Sequence, residues 1–480
     1  MEALKMYING KWEDGHDKGT INVNNPSTGE TMTTIPRGKE DDVDRAVKAA
    51  KDTFRSAEWR RVKPFERGRI LFGVAAQIKE NRDELARLES MDVGKPLTQG
   101  YADIDAAIRY FEFYGGAADK VMGDTIPIED GLIDYVIREP IGVTAHIVPW
   151  NYPIQILSRS VAAAIAMGNT VVVKSAEDTP LTATKIAEYF DQTSLPKGVF
   201  NHVTGYGYEA GATLSSHPLI NHLTFTGSVG TGTAVANAAT SNVVPVTLEL
   251  GGKSPNIVFS DCDIDKAVEG VVKAIIQNAG QTCSAGSRLL IEESFKETFL
   301  DKLVDRFKTL SVGPALDDHD LGPILNQKQF DRIMEFISLA ERESTVLTGG
   351  RRVTYEHYEN ACYLEPTVID NLPLDSKAAQ EEIFGPVLSV FTFKDEEEAI
   401  EMANSTDYGL VTGIWTRDIN KAHLLMSRID SGQVFINNYG AGGGVQMPFG
   451  GYKKSGFGRE KGWIALYNYT QVKNVAIKFD

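Results

Sequence analysis

Three side chains in this sequence have the types and settings of a nucleophile, a base and an oxyanion donor. Cys283, in Gln281-Thr282-Cys283-Ser284, follows a stretch of helical spacing and lies among small polar residues that leave room around a thiol and expose backbone N–H groups. Glu249 ends the β-branched run Val246-Thr247-Leu248-Glu249, with only Leu250 between it and Gly251-Gly252. A carboxylate in so apolar a segment is costly unless it is used or paired, so catalysis and a structural ion pair both fit it. Asn151, in Val148-Pro149-Trp150-Asn151-Tyr152-Pro153, is held between prolines. Its carboxamide suits an oxyanion donor and equally suits an Asn-turn before a helix that starts at Pro153.

The remaining reactive types are poorly placed. Cys262 lies between Asp261 and Asp263, whose charges raise a thiol pKa, and Cys362 reads as a small buried hydrophobe. None of the eight histidines is near Cys283 or in metal-ligand spacing, so neither a Cys–His hydrolase nor a metal site is indicated. Nucleotide signals exist but are irregular. Lys174 and Glu177, after a strand-like run, suit the hydroxyls of an adenosine ribose. Gly227, Ser228, Gly230 and Gly232 lie between a strand and a helix, while Gly205 to Gly211 carries one residue too many for a GxGxxG fingerprint.

The elements that must hold these residues follow from periodicity. The first 120 residues read as helices, with Val43, Ala46, Val47, Ala50 and Phe54 on one face. From Val143 short β-branched runs alternate with helical segments up to Leu250, which implies a doubly wound parallel sheet. A second such series starts at Asn256 and includes the helical stretch Ile264 to Asn278 and strands near Arg288, Trp415 and Phe435. The fold class is therefore α/β with two doubly wound domains plus a small β element. The first domain is assigned to 1–121 and 142–251, the second to 252–449. A hairpin around Asp130-Gly131 and a C-terminal strand, 122–141 and 464–480, lack local partners and suggest pairing between subunits. The glycine cluster Gly440 to Gly451 reads as a mobile loop.

Composition narrows the partners. The 480 residues carry a net charge of -16, which disfavours nucleic acid and anionic membranes. No apolar stretch is long enough to span a bilayer, and the N-terminus lacks an export signal. Three cysteines are too few for a disulfide framework, so a cytoplasmic protein is expected.

Taken in order, seven segments resemble the NAD(P)-dependent aldehyde dehydrogenase superfamily over essentially the whole chain. They are Pro149-Trp150-Asn151, Lys174 to Pro180, Phe225 to Ser228, Glu249 to Pro255, Gly280 to Cys283, Glu381 to Val387 and Pro448 to Glu460. The resemblance implies Cys283 as nucleophile, Glu249 as general base and Asn151 as oxyanion donor. It implies a dinucleotide site of Trp150, Lys174, Glu177, Gly207, Gly211, Phe225, Gly227, Ser228, Leu250, Glu382 and Phe384, in a variant nucleotide fold without the glycine fingerprint. The cofactor implied is NAD, with NADP the alternative, since Glu177 would repel a 2′-phosphate while Lys174 would attract one. The reaction implied is oxidation of a small-molecule aldehyde to a carboxylate through a cysteine thiohemiacetal and thioester, without a metal, in a homodimer or homotetramer.

Tyr152, Gln155, Arg159 and Tyr439, with the loop Gly440 to Gln446, are the candidates for the substrate tunnel. Arg159 stands where many members carry tryptophan and succinate-semialdehyde types carry arginine, so an anionic aldehyde is one expectation and a structurally paired arginine the other. A second arginine near the cysteine loop is absent before Arg288. A CoA-acylating aldehyde dehydrogenase and a non-redox cysteine hydrolase are the competing functions. Glu249 speaks against the first and the missing histidine against the second.

Overall fold

The computed structural model describes residues 1–440 and 444–479. The alternating segments form the strands β1 (Val143–Ile147), β2 (Thr170–Lys174), β3 (Phe200–Val203), β4 (His222–Thr226) and β5 (Val246–Glu249). They pair in parallel in the order β3-β2-β1-β4-β5. Helices α1 (Pro153–Ala166), α2 (Leu181–Asp191) and α3 (Val229–Thr240) make the crossovers. The strands are buried on both faces, which is why they read as continuous apolar runs. Strand order reverses between β1 and β4, so their carboxyl ends open a crevice where a doubly wound sheet takes its ligand.

A second sheet of β6 (Pro255–Val258), β7 (Arg288–Glu292), β8 (Thr367–Asp370), β9 (Val387–Phe393), β10 (Val411–Trp415) and β11 (Gln433–Ile436) runs parallel in the order β8-β9-β7-β6-β10-β11. Helix α4 (Ile264–Ile276) connects β6 to β7, and the loop after it carries Cys283. Each sheet has its own large hydrophobic cluster. The helix Glu40–Arg55 buries Val43, Ala46, Val47 and Ala50 against the first sheet, as its stripe demands.

The N-terminal segment departs from the helical expectation. Met6–Ile8 and Lys11–Glu13 form a hairpin that extends the first sheet beyond β3, and Thr20–Asn24 pairs with Thr31–Pro36. The hairpin turn is Asn9-Gly10, both at positive φ (51° and 75°), the conformation that an Asn-Gly pair favours. Strands of three residues leave no periodicity to detect, and Tyr7 finds its partner His202 far along the chain.

The C-terminal strand also differs from expectation. Thr470–Lys478 pairs antiparallel with Leu132–Pro140 of the same chain over nine residues, and Asp124–Ile126 completes this three-stranded sheet. Ile126, Ile133, Val472 and Ile477 on it remain exposed. Of the glycine cluster, residues 441–443 lie outside the described residues. No helix among the described residues is long and apolar enough to cross a membrane.

Arg288, the first residue of β7, is 1% exposed and has no acid partner among the described residues. Its guanidinium instead donates to the carbonyls of Lys253, Met402 and Ala403, each at 2.8 Å, tying the start of β7 to two other segments. Replacing Arg288 with Met orphans three carbonyls and should lower unfolding stability by about 3 kcal/mol. A urea titration followed by fluorescence measures this.

Candidate active site

Strand β1 delivers Pro149-Trp150-Asn151 into the crevice, and Pro153 at the first turn of α1 stops the chain from extending further. Asn151 is 5% exposed, and its backbone carbonyl accepts hydrogen bonds from Lys95 Nζ at 3.0 Å and Asn278 Nδ2 at 3.1 Å. Its side-chain Nδ2 donates to the Gln281 carbonyl at 3.0 Å. A carboxamide nitrogen has two hydrogens, so the second remains for an oxyanion. Lys95 is wholly buried, ion-paired with Asp103 and Glu89, and packed over the Tyr152 ring at 4.0 Å.

Cys283 is reached through an unusual backbone. Asn278, Ala279 and Gly280 all have positive φ (49°, 51° and 73°), turning the chain sharply after α4. A left-handed alanine costs on the order of 1 kcal/mol and persists only where neighbours enforce it. Here Gln281 does so: its Nε2 donates to the Asn278 and Pro323 carbonyls, and its Oε1 accepts from the Leu325 N–H at 2.9 Å. Gly252 lies against the same loop, since a Cβ there would fall 2.6 Å from the Cys283 carbonyl oxygen.

Cys283 lines two cavities at once. One, of about 490 Å³, is lined by Tyr152, Gln155, Arg159, Phe435, Tyr439 and Phe449, among others. The other, of about 110 Å³, is lined by Trp150, Asn151, Gly227, Ser228, Glu382 and Phe384, among others. Burial pushes the Cys283 thiol up to about 12; Glu382 and Glu249 add to the rise and Arg159 opposes it.

Glu249 is 1% exposed and neither carboxylate oxygen has a hydrogen-bond partner among the described residues. Burial drives its pKa well above the carboxylate range; Arg159 pulls it back and Glu460 pushes it further. A base without fixed partners keeps its lone pairs for water. Arg159 itself is 5% exposed and ion-paired through Nε with Glu460, a residue that also accepts from Thr224 Oγ1 at 2.8 Å. Of the two expectations for Arg159, the structure shows the paired one, although the residue still lines the larger cavity.

The expected dinucleotide residues fall into two groups. Trp150, Gly227, Ser228, Glu382 and Phe384 face the smaller cavity, with the rings of Trp150 and Phe384 edge to face at 5.3 Å. Glu382 accepts from the Gly252 N–H at 3.1 Å, and burial raises its carboxyl to about 7. Ser228 caps α3, whose free N–H groups suit a phosphate. Gly207 and Gly230 border open space, so backbone is accessible along the outer crevice, whereas Gly211 is buried. Lys174 Nζ pairs with Glu177 at 2.7 Å at the end of β2. Phe225 and Leu250, by contrast, are 4% and 5% exposed within the hydrophobic cluster beneath the crevice, where they support it. Taken together, donors, carboxylates and open backbone fit a dinucleotide.

The aldehyde dehydrogenase family model matches residues 12–475. The chain belongs to the aldehyde dehydrogenase family. It is 43% identical to hydroxyisobutyraldehyde dehydrogenase of Mycolicibacterium austroafricanum, over 99% of this chain and 94% of that one. It is 42% identical to human retinal dehydrogenase 2, over 100% and 92%. The structure of the Bacillus cereus aldehyde dehydrogenase in complex with NAD+ superposes with a TM-score of 0.97 at 39% identity, covering 100% of this chain and 97% of that one. The protein is an NAD(P)-dependent aldehyde dehydrogenase.

Several residues of this dehydrogenase site escaped the sequence reading: Lys95, Asn278, Gln281, Arg332 and Lys461. Only the Val93-Gly94-Lys95-Pro96 turn offered a local cue for one of them. Tyr152 and Thr282 share a hydrogen bond at 2.9 Å, Gln155 donates to Asp103 at 3.0 Å, and Tyr439 donates to the Ser284 carbonyl at 2.7 Å. These three expected tunnel residues, like the fourth, Arg159, line the larger cavity with their polar tips engaged. Cys262 and Cys362 are 8% and 2% exposed, whereas Cys283 is partly exposed. Because its pKa is raised, its thiolate fraction should climb about tenfold per pH unit from pH 7 to 10. Iodoacetamide labelling of the cofactor-free protein should follow that slope, and Arg159→Met should slow it at every pH.

Proposed function

We propose that Cys283 attacks the aldehyde carbonyl, with Asn151 Nδ2 and the Cys283 backbone N–H holding the oxyanion. The reading is carried by one observation: Cys283 forms part of the wall of both cavities, which supports an aldehyde on one side of it and a dinucleotide on the other. Attack by the thiolate forms the C–S bond and moves the carbonyl electron pair onto oxygen, giving a thiohemiacetal alkoxide. The oxyanion donors stabilise that charge by roughly 3 kcal/mol. When bound, NAD+ supplies the acceptor for the hydride that leaves this carbon, so that a thioester remains on Cys283. Trp150, Ser228, Glu382 and Phe384 would hold it, with Lys174 and Glu177 at the adenosine ribose. Glu249 then takes a proton from water, the hydroxide adds to the thioester carbon, and the C–S bond breaks to release carboxylate and thiolate.

The high pKa of Glu249 belongs to the dry resting site. Water entering for hydrolysis restores solvation and brings the carboxylate into its working range. Glu249 also favours hydrolysis over transfer to a CoA thiol, which needs no water-activating acid.

We further propose that residues 1–121 with 142–251 act as the dinucleotide-binding domain and 252–449 as the catalytic domain. The sheet formed by 122–141 and 464–480, with its exposed apolar residues, would serve assembly into a dimer or tetramer. The charge of -16, the three unpaired cysteines and the absence of a spanning helix among the described residues support a cytoplasmic enzyme without nucleic-acid partners.

Mixing enzyme, NAD+ and propanal tests the mechanism at 340 nm. Cys283→Ala should form no NADH. Glu249→Gln should give a burst stoichiometric with active sites and then stall, because thiohemiacetal oxidation precedes the water step. Asn151→Ala should lower kcat on the order of a hundredfold. A linear progress curve without a burst for Glu249→Gln would assign the base elsewhere.

A further inference from the structure

Building on the proposed aldehyde site, we propose that Lys461, rather than Arg159, is the cation that receives the substrate's tail, and that the substrate class is an aldehyde bearing a carboxylate at its far end. Four charged side chains line the larger cavity: Asp103, Arg159, Lys273 and Lys461. Two are compensated inside the protein, since Asp103 pairs with Lys95 and Arg159 pairs with Glu460. Lys273 and Lys461 have no ion pair or side-chain hydrogen bond among the described residues. The cavity thus holds two uncompensated positive charges in a protein whose net charge is -16. Neutral aldehydes gain nothing from that inversion, whereas an anion is drawn in and held.

The two lysines differ in depth. Lys273 is exposed in the last turn of α4, at the rim, where the helix dipole already favours a cation. Lys461 is 9% exposed, with its ammonium 5.7 Å from the centre of the Phe449 ring, which is also cavity lining. Burying an ammonium without a counter-ion is expensive, and a bound carboxylate removes the cost. Glu249 offsets part of it by raising the Lys461 pKa, but it makes no ion pair with Lys461, and burial drives its own pKa well above the carboxylate range. Burial and Arg159 lower Lys461 to about 8, which leaves it largely protonated at pH 7.

The backbone gives a second, independent reason. Lys461 has φ of 62°, a left-handed conformation that favours glycine or asparagine, and Gly462 follows at 61°. A long β-carbon-bearing side chain kept in this strained turn costs on the order of 1 kcal/mol. The turn directs the chain between Glu460, which holds Arg159, and Gly462, whose N–H donates to the Val445 carbonyl at 2.8 Å.

The test compares 4-oxobutanoate with butanal, and 5-oxopentanoate with pentanal, for the wild type, Lys461→Gln and Lys461→Arg. Wild type should favour the ω-carboxylates in kcat/KM. Lys461→Gln should cut that preference at least about tenfold, through KM rather than kcat, and Lys461→Arg should restore most of it. A turnover-independent measurement accompanies it: succinate should slow iodoacetamide labelling of Cys283 in the wild type and not in Lys461→Gln. No wild-type preference, or a preference that Lys461→Gln leaves intact, would overturn the proposal, as would the absence of succinate protection. Absence of NADH from either aldehyde series would instead overturn the oxidation reading, while succinate protection would still report the anionic site.

Discussion

The whole arrangement depends on holding one sulfur at the boundary between two cavities without letting water reach it freely. A thiolate exposed to solvent is well stabilised and sluggish; a thiol buried in apolar surroundings stays protonated. Cys283 lies between these limits, partly exposed to the cavities yet raised to about 12 by burial. Its position is fixed by backbone hydrogen bonds rather than by packing alone. Gln281 holds the loop from within, Asn278 reaches across to the Asn151 carbonyl, and Asn151 returns the contact to the Gln281 carbonyl. This small closed circuit joins the end of β1 to the loop before β7, so the nucleophile and the oxyanion donor move together.

Lys95 shows how far that circuit extends. Its ammonium is buried with two carboxylates and the Asn151 carbonyl, and removing one member would leave a charge unpaired in a dry interior. Burial dominates the carboxylates in this region: it is the first cause of the raised pKa at Glu89, Asp103, Glu249 and Glu382 alike. Charge pairing only modulates it. The active site is therefore electrostatically frustrated before anything binds, and ligands that bring charge, hydrogen bonds or water relieve that state selectively.

The parts of this design visible in the sequence were those governed by local rules. Strand runs buried on both faces announce a parallel sheet, and the doubly wound order places Asn151, Ser228 and Glu249 at one edge because the first two follow strand ends and Glu249 is the last residue of its strand. The short N-terminal strands were missed because three residues carry no period, although Asn9-Gly10 stood as a hairpin turn. The partner of the C-terminal strand was hidden for another reason: pairing of Val472 with Arg138 is a tertiary choice with no local trace. Phe225 and Leu250 show the complementary limit. Both belong to motifs that border the cofactor crevice, yet their side chains point into the core below it.

Arg159 makes the sharpest case, because residue type and position alone left both a free cation and a paired one open. Whether a charge in a cavity is available to a ligand depends on what the rest of the fold has placed beside it. Glu460, from the distant C-terminal region, neutralises Arg159, and Thr224 in turn fixes Glu460. The adjacent residue, Lys461, is left in the same cavity without such a partner among the described residues. A substitution of one side chain in a motif can thus be silent while its neighbour carries the consequence. Specificity in this site follows from the balance of paired and unpaired charge rather than from the identity of any single arginine.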